Sequence, residues 1–488
     1  MSAGTLAAAI AGVLALVDLA VKVAALGLVP EGRRPSSATA WLLAVLFVPF
    51  IGIVAFLLIG SPYVDRGRRR IQGQVNDFVA ARVPVSEAEA PGPDELPEWL
   101  LSAVRLNQRL GTLPLSRGNV VVLYPDYDES IEAMAAQVRS ARDYVHVEFY
   151  IMAWDEVTAP FFEACAEATA RGVTVRVLFD HLGSRSVGAH REMLSRFDAA
   201  GFAWHRMLPV QPLKGHWRRP DLRNHRKILV VDGRVGHIGS QNLVEPSYHK
   251  PKLRKAGREW HELTARVEGP VVASLDAVFA TDWYVETGEV LAVADRLADT
   301  EPGPGTTSLQ VVPSGPGFPH ENNLRLFNTL VYGACRRLSL TSPYFVPDES
   351  LLYAVTTAAQ RGVDVELFVS EEGDQLMVAH AQMSYYRALL EAGVRIHLYP
   401  APYVLHAKHL TVDDDVGVIG SSNMDMRSFG LNFEVSTMGT GVDFVAALRR
   451  VEDSYRAVSR ELTLEEWRRR PLRRRYLDNV MRLTSALQ

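Results

Sequence analysis

The sequence predicts an α/β fold built from two duplicated halves and preceded by an N-terminal transmembrane helical hairpin. Three observations carry that prediction. The phrase His225-x-Lys227-x4-Asp232 running on to Gly239-Ser240-x-Asn242 returns as His406-x-Lys408-x4-Asp413 running on to Gly420-Ser421-x-Asn423. The segments before each phrase recur in the same order: ARGVTVRVLFD (170–180) and AAGFAWH (199–205) in the first half, QRGVDVELFVS (360–370) and EAGVRIH (391–397) in the second. Ahead of both halves stand two long apolar runs, residues 6–29 and 38–60.

Each apolar run is long enough to cross a hydrocarbon core of about 30 Å as a helix rising ~1.5 Å per residue. Asp18 and Lys22 interrupt the first run, and their i,i+4 spacing lets them pair. The second run carries no charge and is the stronger candidate span. Arg66, Arg68, Arg69 and Arg70 follow it, against Arg33 and Arg34 in the connecting loop. That asymmetry predicts a multi-pass cell-membrane protein with the C-terminal bulk in the cytoplasm. A Pro/Glu/Ala linker over 84–97 then separates the hairpin from the rest.

The repeated segments read as helix, Arg-Gly turn, Val-rich buried strand, helix, Ala-Gly turn and strand, the alternation of an α/β sheet covered by helices. Asp232-Gly233 is a type I′ signal, so the first phrase reads as a β-hairpin. With a period of two, His225 and Lys227 share one face, as do His406 and Lys408, while Asp232 and Asp413 fall on the other parity and hold the turn. Pro/Gly-rich stretches at 300–307 and 313–317 mark the bridge between the halves. The expected divisions are 1–62 for the hairpin, 63–98 for a basic segment and linker, 99–290 and 291–460 for the halves, and 461–488 for a basic tail. Thr463 and Glu466 form a capping box opening that tail, where Arg468 to Arg470 and Arg473 to Arg475 flank Pro471 and suit an anionic leaflet.

Composition narrows the chemistry. A formal net charge of -4 and a pI near 6.4 argue against a nucleic-acid partner, which selects for a strongly basic surface. Cys165 and Cys335 stand without CxxC or Cys/His spacing and are expected in core packing. Attack on a phosphodiester needs charge neutralisation, a nucleophile and a proton donor for the leaving alkoxide. The two phrases supply all three, with His225, Lys227, Asp232, His406, Lys408 and Asp413 as the catalytic set and Ser240, Asn242, Ser421 and Asn423 as phosphate-binding candidates. Glycines 239 and 420 are expected to admit the ligand close to the backbone. Lysines doing the electrostatic work leave no call for a metal or other cofactor, and the Asp413 to Asp415 run reads as turn. Glu259 and Glu434, downstream of the phrases, are the candidates to orient the histidines. An insertion at 207–224 offers Lys214, Arg218, Arg219 and Arg223 to an anionic headgroup. His205, His216, His237, His261 and His409 lack the motif context and read as structural or solvent-facing.

The paired phrases resemble the duplicated HKD motifs of the phospholipase D superfamily. The flanking segments WLLAVLFVPFIG, VEFYIMAWD, DHLGS, EWHELTARVEGPVV, SPYFVPDES and MDMRSFGLNFEV resemble those of bacterial cardiolipin synthases. The resemblance covers nearly the whole chain. It implies two duplicated phospholipase D-like α/β halves sharing one active site, with a phosphohistidine on the N-terminal histidine, so that His225 is the nucleophile and His406 the general acid. It further implies transfer of a phosphatidyl group between two phosphatidylglycerol molecules in an anionic phospholipid membrane, giving cardiolipin and glycerol. A phospholipase D-type hydrolase, a transferase with another headgroup, and a phosphodiesterase nuclease are the alternatives, and the apolar N-terminus weighs against the last.

Overall fold

The computed structural model describes residues 3–31, 35–60, 70–71, 73–74, 96–210, 219–293, 297, 302–318 and 320–483. The chain divides into two compact units: Met1–Arg66 with Arg219–Asp221, and Gly67–Arg218 with Leu222–Gln488. The linker at 84–95, the basic residues Arg33, Arg34, Arg66, Arg68, Arg69, Lys214 and Arg218, and His216 lie outside the described residues.

In the first unit the helices α1 (Ala3–Leu28), α2 (Pro35–Phe47) and α3 (Pro49–Ala55) pack through Ala25, Val29 and Val45, with Trp41, Leu42, Ile53 and Phe56 against them. Asp18 and Lys22 form an ion pair of 2.7 Å along α1. Among the described residues one helix, Gly4–Leu28, is long and apolar enough to cross a membrane. The second run, expected as one continuous span, is divided at Val48. Pro49 has no N–H for the helical ladder and excludes helical geometry at the residue before it, and Val48 adopts φ -131°, ψ 62°. A π-helical turn, Phe56–Gly60, ends the run.

The second unit is organised on one sixteen-stranded sheet. The strands of its first half are β1 (Leu115–Tyr124), β2 (Tyr144–Phe149), β3 (Thr174–Asp180), β4 (Ala203–Met207), β5 (Arg223–Asn224), β6 (Lys227–Val231), β7 (Val235–Gly239), β8 (Trp260–His261) and β9 (Thr264–Glu268). Those of its second half are β10 (Thr307–Ser314), β11 (Arg337–Thr341), β12 (Phe345–Val346), β13 (Asp364–Ser370), β14 (Arg395–Tyr399), β15 (Val404–Leu405), β16 (His409–Val412), β17 (Val416–Gly420), β18 (Met424–Asp425), β19 (Asn432–Thr440) and β20 (Arg460–Leu462). The first half runs β4-β3-β2-β6-β7-β9-β1 and the second runs β14-β13-β11-β16-β17-β19-β10, so the order is the same in both. The parallel and antiparallel pairings match strand for strand. The halves join where β1 pairs antiparallel with β10, Leu115 opposite Gln310.

The repeated Arg-Gly and Ala-Gly turns fall where the sequence puts them. Helices Ala159–Ala170 and Glu349–Gln360 lead into β3 and β13, and helices His190–Ala200 and Leu376–Ala392 lead into β4 and β14. Helix Val271–Thr287 is buried from Val271 to Trp283, which accounts for its apolar residues on every face. Cys165 is buried in the first-half core, but Cys335 is exposed, contrary to the expectation for it.

Candidate active site

The motif hairpins are β6–β7 and β16–β17. In the first, Asp232 and Gly233 both take positive φ (52° and 63°), and Arg234 N–H donates to the Val231 carbonyl at 3.0 Å, the type I′ geometry read from Asp-Gly. In the second only Asp413 has positive φ (48°), because Asp414 replaces the glycine. Each motif aspartate sits at the turn. Asp232 accepts from the amides of Arg142, Asp143 and Tyr144, and Asp413 from those of Cys335, Arg336 and Arg337. Counted in the catalytic set from sequence, both are fasteners that tie the hairpin to the start of the neighbouring strand.

His225 and His406 sit just ahead of these hairpins, and each is tied to the opposite half. β5 runs parallel to the start of β19, and His225 N–H donates to the Phe433 carbonyl at 2.8 Å. β15 runs parallel to β8, and His406 N–H donates to the His261 carbonyl at 2.7 Å. The next residue along the chain in each case is a buried glutamate. Glu434 lies 3.0 Å from His225 Nδ1, and Glu262 lies 2.7 Å from His406 Nδ1. With Nδ1 committed to a carboxylate, Nε2 is the ring atom left for chemistry.

Glu259 therefore does not take the role expected for it: it is exposed, and Glu262 holds His406. The signal that finds Glu262 is alignment from the far side. Glu262 and Glu434 each stand seven residues before the glycine, Gly269 or Gly441, that leads into the next helix.

Gly239-Ser240 and Gly420-Ser421 serve these glutamates. A Cβ at Gly239 would sit 2.3 Å from the Leu263 carbonyl oxygen, and one at Gly420 would sit 2.5 Å from that of Val435. The close approach is thus to the glutamate-bearing strand, not to a ligand. Ser421 Oγ donates to Glu434 Oε2 at 2.5 Å and accepts from Val435 N–H, while Ser240 Oγ accepts from Leu263 N–H at 2.9 Å. Both serines are fully buried, so neither reaches a phosphate as expected. Asn242 and Asn423 do line the cavity between the histidines. Asn242 donates to the Tyr248 hydroxyl at 2.8 Å. Among the described residues the side-chain oxygen of Asn423 has no partner.

That cavity, about 420 Å³, is lined by both His225 and His406. The ring of Tyr150 stands edge-on to His225 with centroids 5.0 Å apart, and Tyr344 stands likewise beside His406 at 6.3 Å. Tyr344 donates to Asp374 at 2.9 Å. Arg223, Lys250 and Arg427 add positive charge to the wall, and Asp374 and Asp425 add carboxyls. Arg223, from the insertion, is buried against Asp180 at 3.0 Å, whereas Arg219 pairs with Asp221. His205, His237, His261 and His409 lie elsewhere: His261 meets the Tyr399 hydroxyl at 2.8 Å and His409 that of Thr341 at 3.2 Å. Among the described residues no cluster of three or more His, Cys, Asp or Glu side chains is arranged to hold a metal ion.

Burial sets the protonation states. It lowers His225 to about 4 against the pull of Glu434, and it lowers His406 below the usual imidazole value against Glu262. Burial pushes the glutamates upward, but the histidines and lysines beside them outweigh it and hold both carboxyls below their ordinary range. These directions leave neutral imidazoles on anionic carboxylates. Lys227 and Lys408, whose ammonium groups donate to the carbonyls of His225 and His406 at 2.6 and 2.5 Å, are lowered by burial to about 7 and about 8. Asp425, raised by burial to about 6, caps the helix Met426–Gly430 through Ser428.

Comparison with known proteins gives the family. The family model described as cardiolipin synthase, PLD-like domain, matches residues 134–283 and 330–453, and the one described as phospholipase D-nuclease N-terminal matches residues 10–61. Cardiolipin synthase A of Proteus mirabilis is 33% identical over 93% of this chain and 94% of its own length. Cardiolipin synthase A of Yersinia pseudotuberculosis is 34% identical over 93% of each. The crystal structure of a phosphatidylserine synthase from Haemophilus influenzae superposes with a TM-score of 0.59 at 13% identity, over 79% of this chain and 99% of the other, a likeness of fold. The chain belongs to the cardiolipin synthase family, with the duplicated phospholipase D-like fold.

Proposed function

We propose that this protein is a membrane phosphatidyltransferase of the cardiolipin synthase type, which joins two phosphatidylglycerol molecules into cardiolipin and releases glycerol. The observation that carries the reading is the pair of histidines that line one cavity, each with Nδ1 on a buried glutamate from the other half. His225 Nε2 attacks phosphorus of the first phosphatidylglycerol. The bond to the terminal glycerol oxygen breaks as the imidazolium form of His406, stabilised by Glu262 and by the bound phosphate anion, gives that oxygen its Nε2 proton and becomes neutral. The second phosphatidylglycerol then enters, His406 takes the proton of its free hydroxyl, and the alkoxide displaces His225 from phosphorus. One phosphodiester replaces another, so no activated donor is consumed. Lys227 and Lys408 neutralise the phosphate oxygens, with Asn242 and Asn423 at the cavity wall.

The two N-terminal apolar segments are read as a multi-pass anchor, and the arginines after the second segment favour a cytoplasmic catalytic part. Purified protein in detergent with labelled phosphatidylglycerol tests the activity, with and without chelator. Cardiolipin and glycerol are the expected products in both; phosphatidic acid alone makes the enzyme a hydrolase, and loss of activity with chelator refutes the lysine-based neutralisation. His225→Ala abolishes covalent labelling, whereas His406→Ala slows turnover and leaves trapped phosphoenzyme; the reverse pattern exchanges the two roles.

A further inference from the structure

The C-terminal arginines fall into two sets. Arg468, Arg469 and Arg470 pair with Glu391, Glu465 and Asp478. Arg473, Arg474 and Arg475, in the helix Leu472–Arg482, face no carboxylate partner among the described residues. The helix is fastened to the body on one face only. Asp478, buried, meets His380 Nδ1 at 2.7 Å and Arg470 at 2.8 Å, Met481 packs against the second-half core, and the Arg482 guanidinium lies over the Tyr385 ring at 4.8 Å.

The opposite face carries an apolar stripe. Leu472, Tyr476, Val480 and Leu483 follow one another at i, i+4, i+8 and i+11, one side of a helix, and are 76%, 72%, 37% and 84% exposed. At 100° per residue, Arg473 falls beside one border of the stripe and Arg475 beside the other. Water solvates such an arrangement poorly, while an interface of acyl chains under anionic headgroups satisfies both parts: the stripe enters the acyl boundary and the guanidinium groups lie at headgroup level. We propose that this helix face docks on an anionic phospholipid bilayer surface.

The docking has a structural consequence. The helix Leu376–Ala392, on which the tail helix is fastened through His380 and Tyr385, also lends Val378 to the wall of the cavity that holds the two histidines. A docked tail therefore fixes the orientation of that wall against the lipid surface, one helix removed from it.

The test uses the full chain with Cys335→Ser, which removes the exposed thiol, and Leu483→Cys carrying an environment-sensitive fluorophore. It is reconstituted in vesicles of phosphatidylcholine alone or of phosphatidylcholine with phosphatidylglycerol. The expected result is a blue-shifted emission in the anionic vesicles that added salt reverses. Combined Arg473→Gln and Arg475→Gln lowers the docked-to-undocked ratio by about fivefold per charge removed. Both side chains are exposed, so the fold is not at risk. Emission independent of lipid charge overturns the proposal, as does a blue shift that the double variant keeps. A shift in detergent that grows with protein concentration also overturns it, because it assigns the stripe to a second copy of the chain.

Discussion

Replacing Glu262 by Gln tests the crossed arrangement of the two halves most directly. The carboxylate lies 2.7 Å from His406 Nδ1, and both groups are buried, so solvent screening is small. Glutamine retains an oxygen acceptor for Nδ1–H and keeps the ring in place; what it removes is the charge that stabilises the imidazolium. A charge-assisted hydrogen bond of this kind contributes about 1.5–3 kcal/mol net, which corresponds to a roughly ten- to hundredfold effect on any step that needs protonated His406. The sign is definite. Burial lowers His406 and Glu262 raises it, so loss of the carboxylate lowers His406 further and shrinks the fraction able to protonate a leaving alkoxide. Turnover of labelled phosphatidylglycerol by Glu262→Gln should fall by about that factor, with the protonation-dependent limb of the pH–rate profile displaced to lower pH. Glu259→Gln, an exposed position, should match the parent. Parent-like turnover in Glu262→Gln beside a slow Glu259→Gln would refute the reasoning.

Three further outcomes follow from named groups. Lys227 and Lys408, lowered to about 7 and about 8, lose their charge in the free enzyme as pH rises through those values, so kcat/KM should decline on the alkaline side mainly through KM; a profile that stays flat well past pH 8 contradicts this. Asp232→Ala leaves three backbone amides without their acceptor and should cost about 2–4 kcal/mol, read as a lower thermal midpoint, while folded protein keeps its specific activity; full stability with lost activity would return Asp232 to the catalytic set. His237 is buried with neither ring nitrogen partnered among the described residues, and burial lowers it to about 3. The unfolded chain therefore binds the extra proton between that value and about 6.5, and stability falls as pH drops through the window. His237→Phe should remove about 2 kcal/mol of that loss by pH 5, seen as a flatter acid limb in unfolding midpoints, whereas an unchanged limb would place the acid sensitivity elsewhere.

The repeat made the fold legible because it wrote the same local code twice. Arg-Gly after a helix, a Val-rich strand, Ala-Gly after a helix and a second strand are statements about backbone conformation, and both copies fold by them. Glu434 was legible as an orienting carboxylate, but Glu262 was not, and neither was the crossing: Glu262 is 144 positions from His406 and Glu434 is 209 from His225, so no count along one motif shows which histidine each one holds. Ser240, Ser421 and the two motif glycines were legible as a pattern but not in purpose: the pattern says that something approaches closely, and only the sheet shows that it is the glutamate strand. The break at Val48 had its cause in view at Pro49, but composition outweighed it in reading the run as one span.

The crossing also bears on why the halves remain duplicated. In each half the strand before the histidine pairs with the two residues that precede the glutamate of the other half, and the backbone N–H of each histidine donates across the same seam. Neither half alone contains an oriented histidine; it contains a histidine for its neighbour's carboxylate and a carboxylate for its neighbour's histidine. A change that shifts the seam at β1–β10 should therefore disturb both histidines together, although neither lies on those strands. Each imidazole depends on a carboxylate that reaches it only when both halves are in register. The two rings nevertheless meet different walls. Tyr344 beside His406 is held by Asp374, while the tyrosine beside His225 stands near Arg223 and Arg427 on the same cavity. Duplication supplies the crossed scaffold, and the lining residues that differ between the halves give two like histidines unlike surroundings.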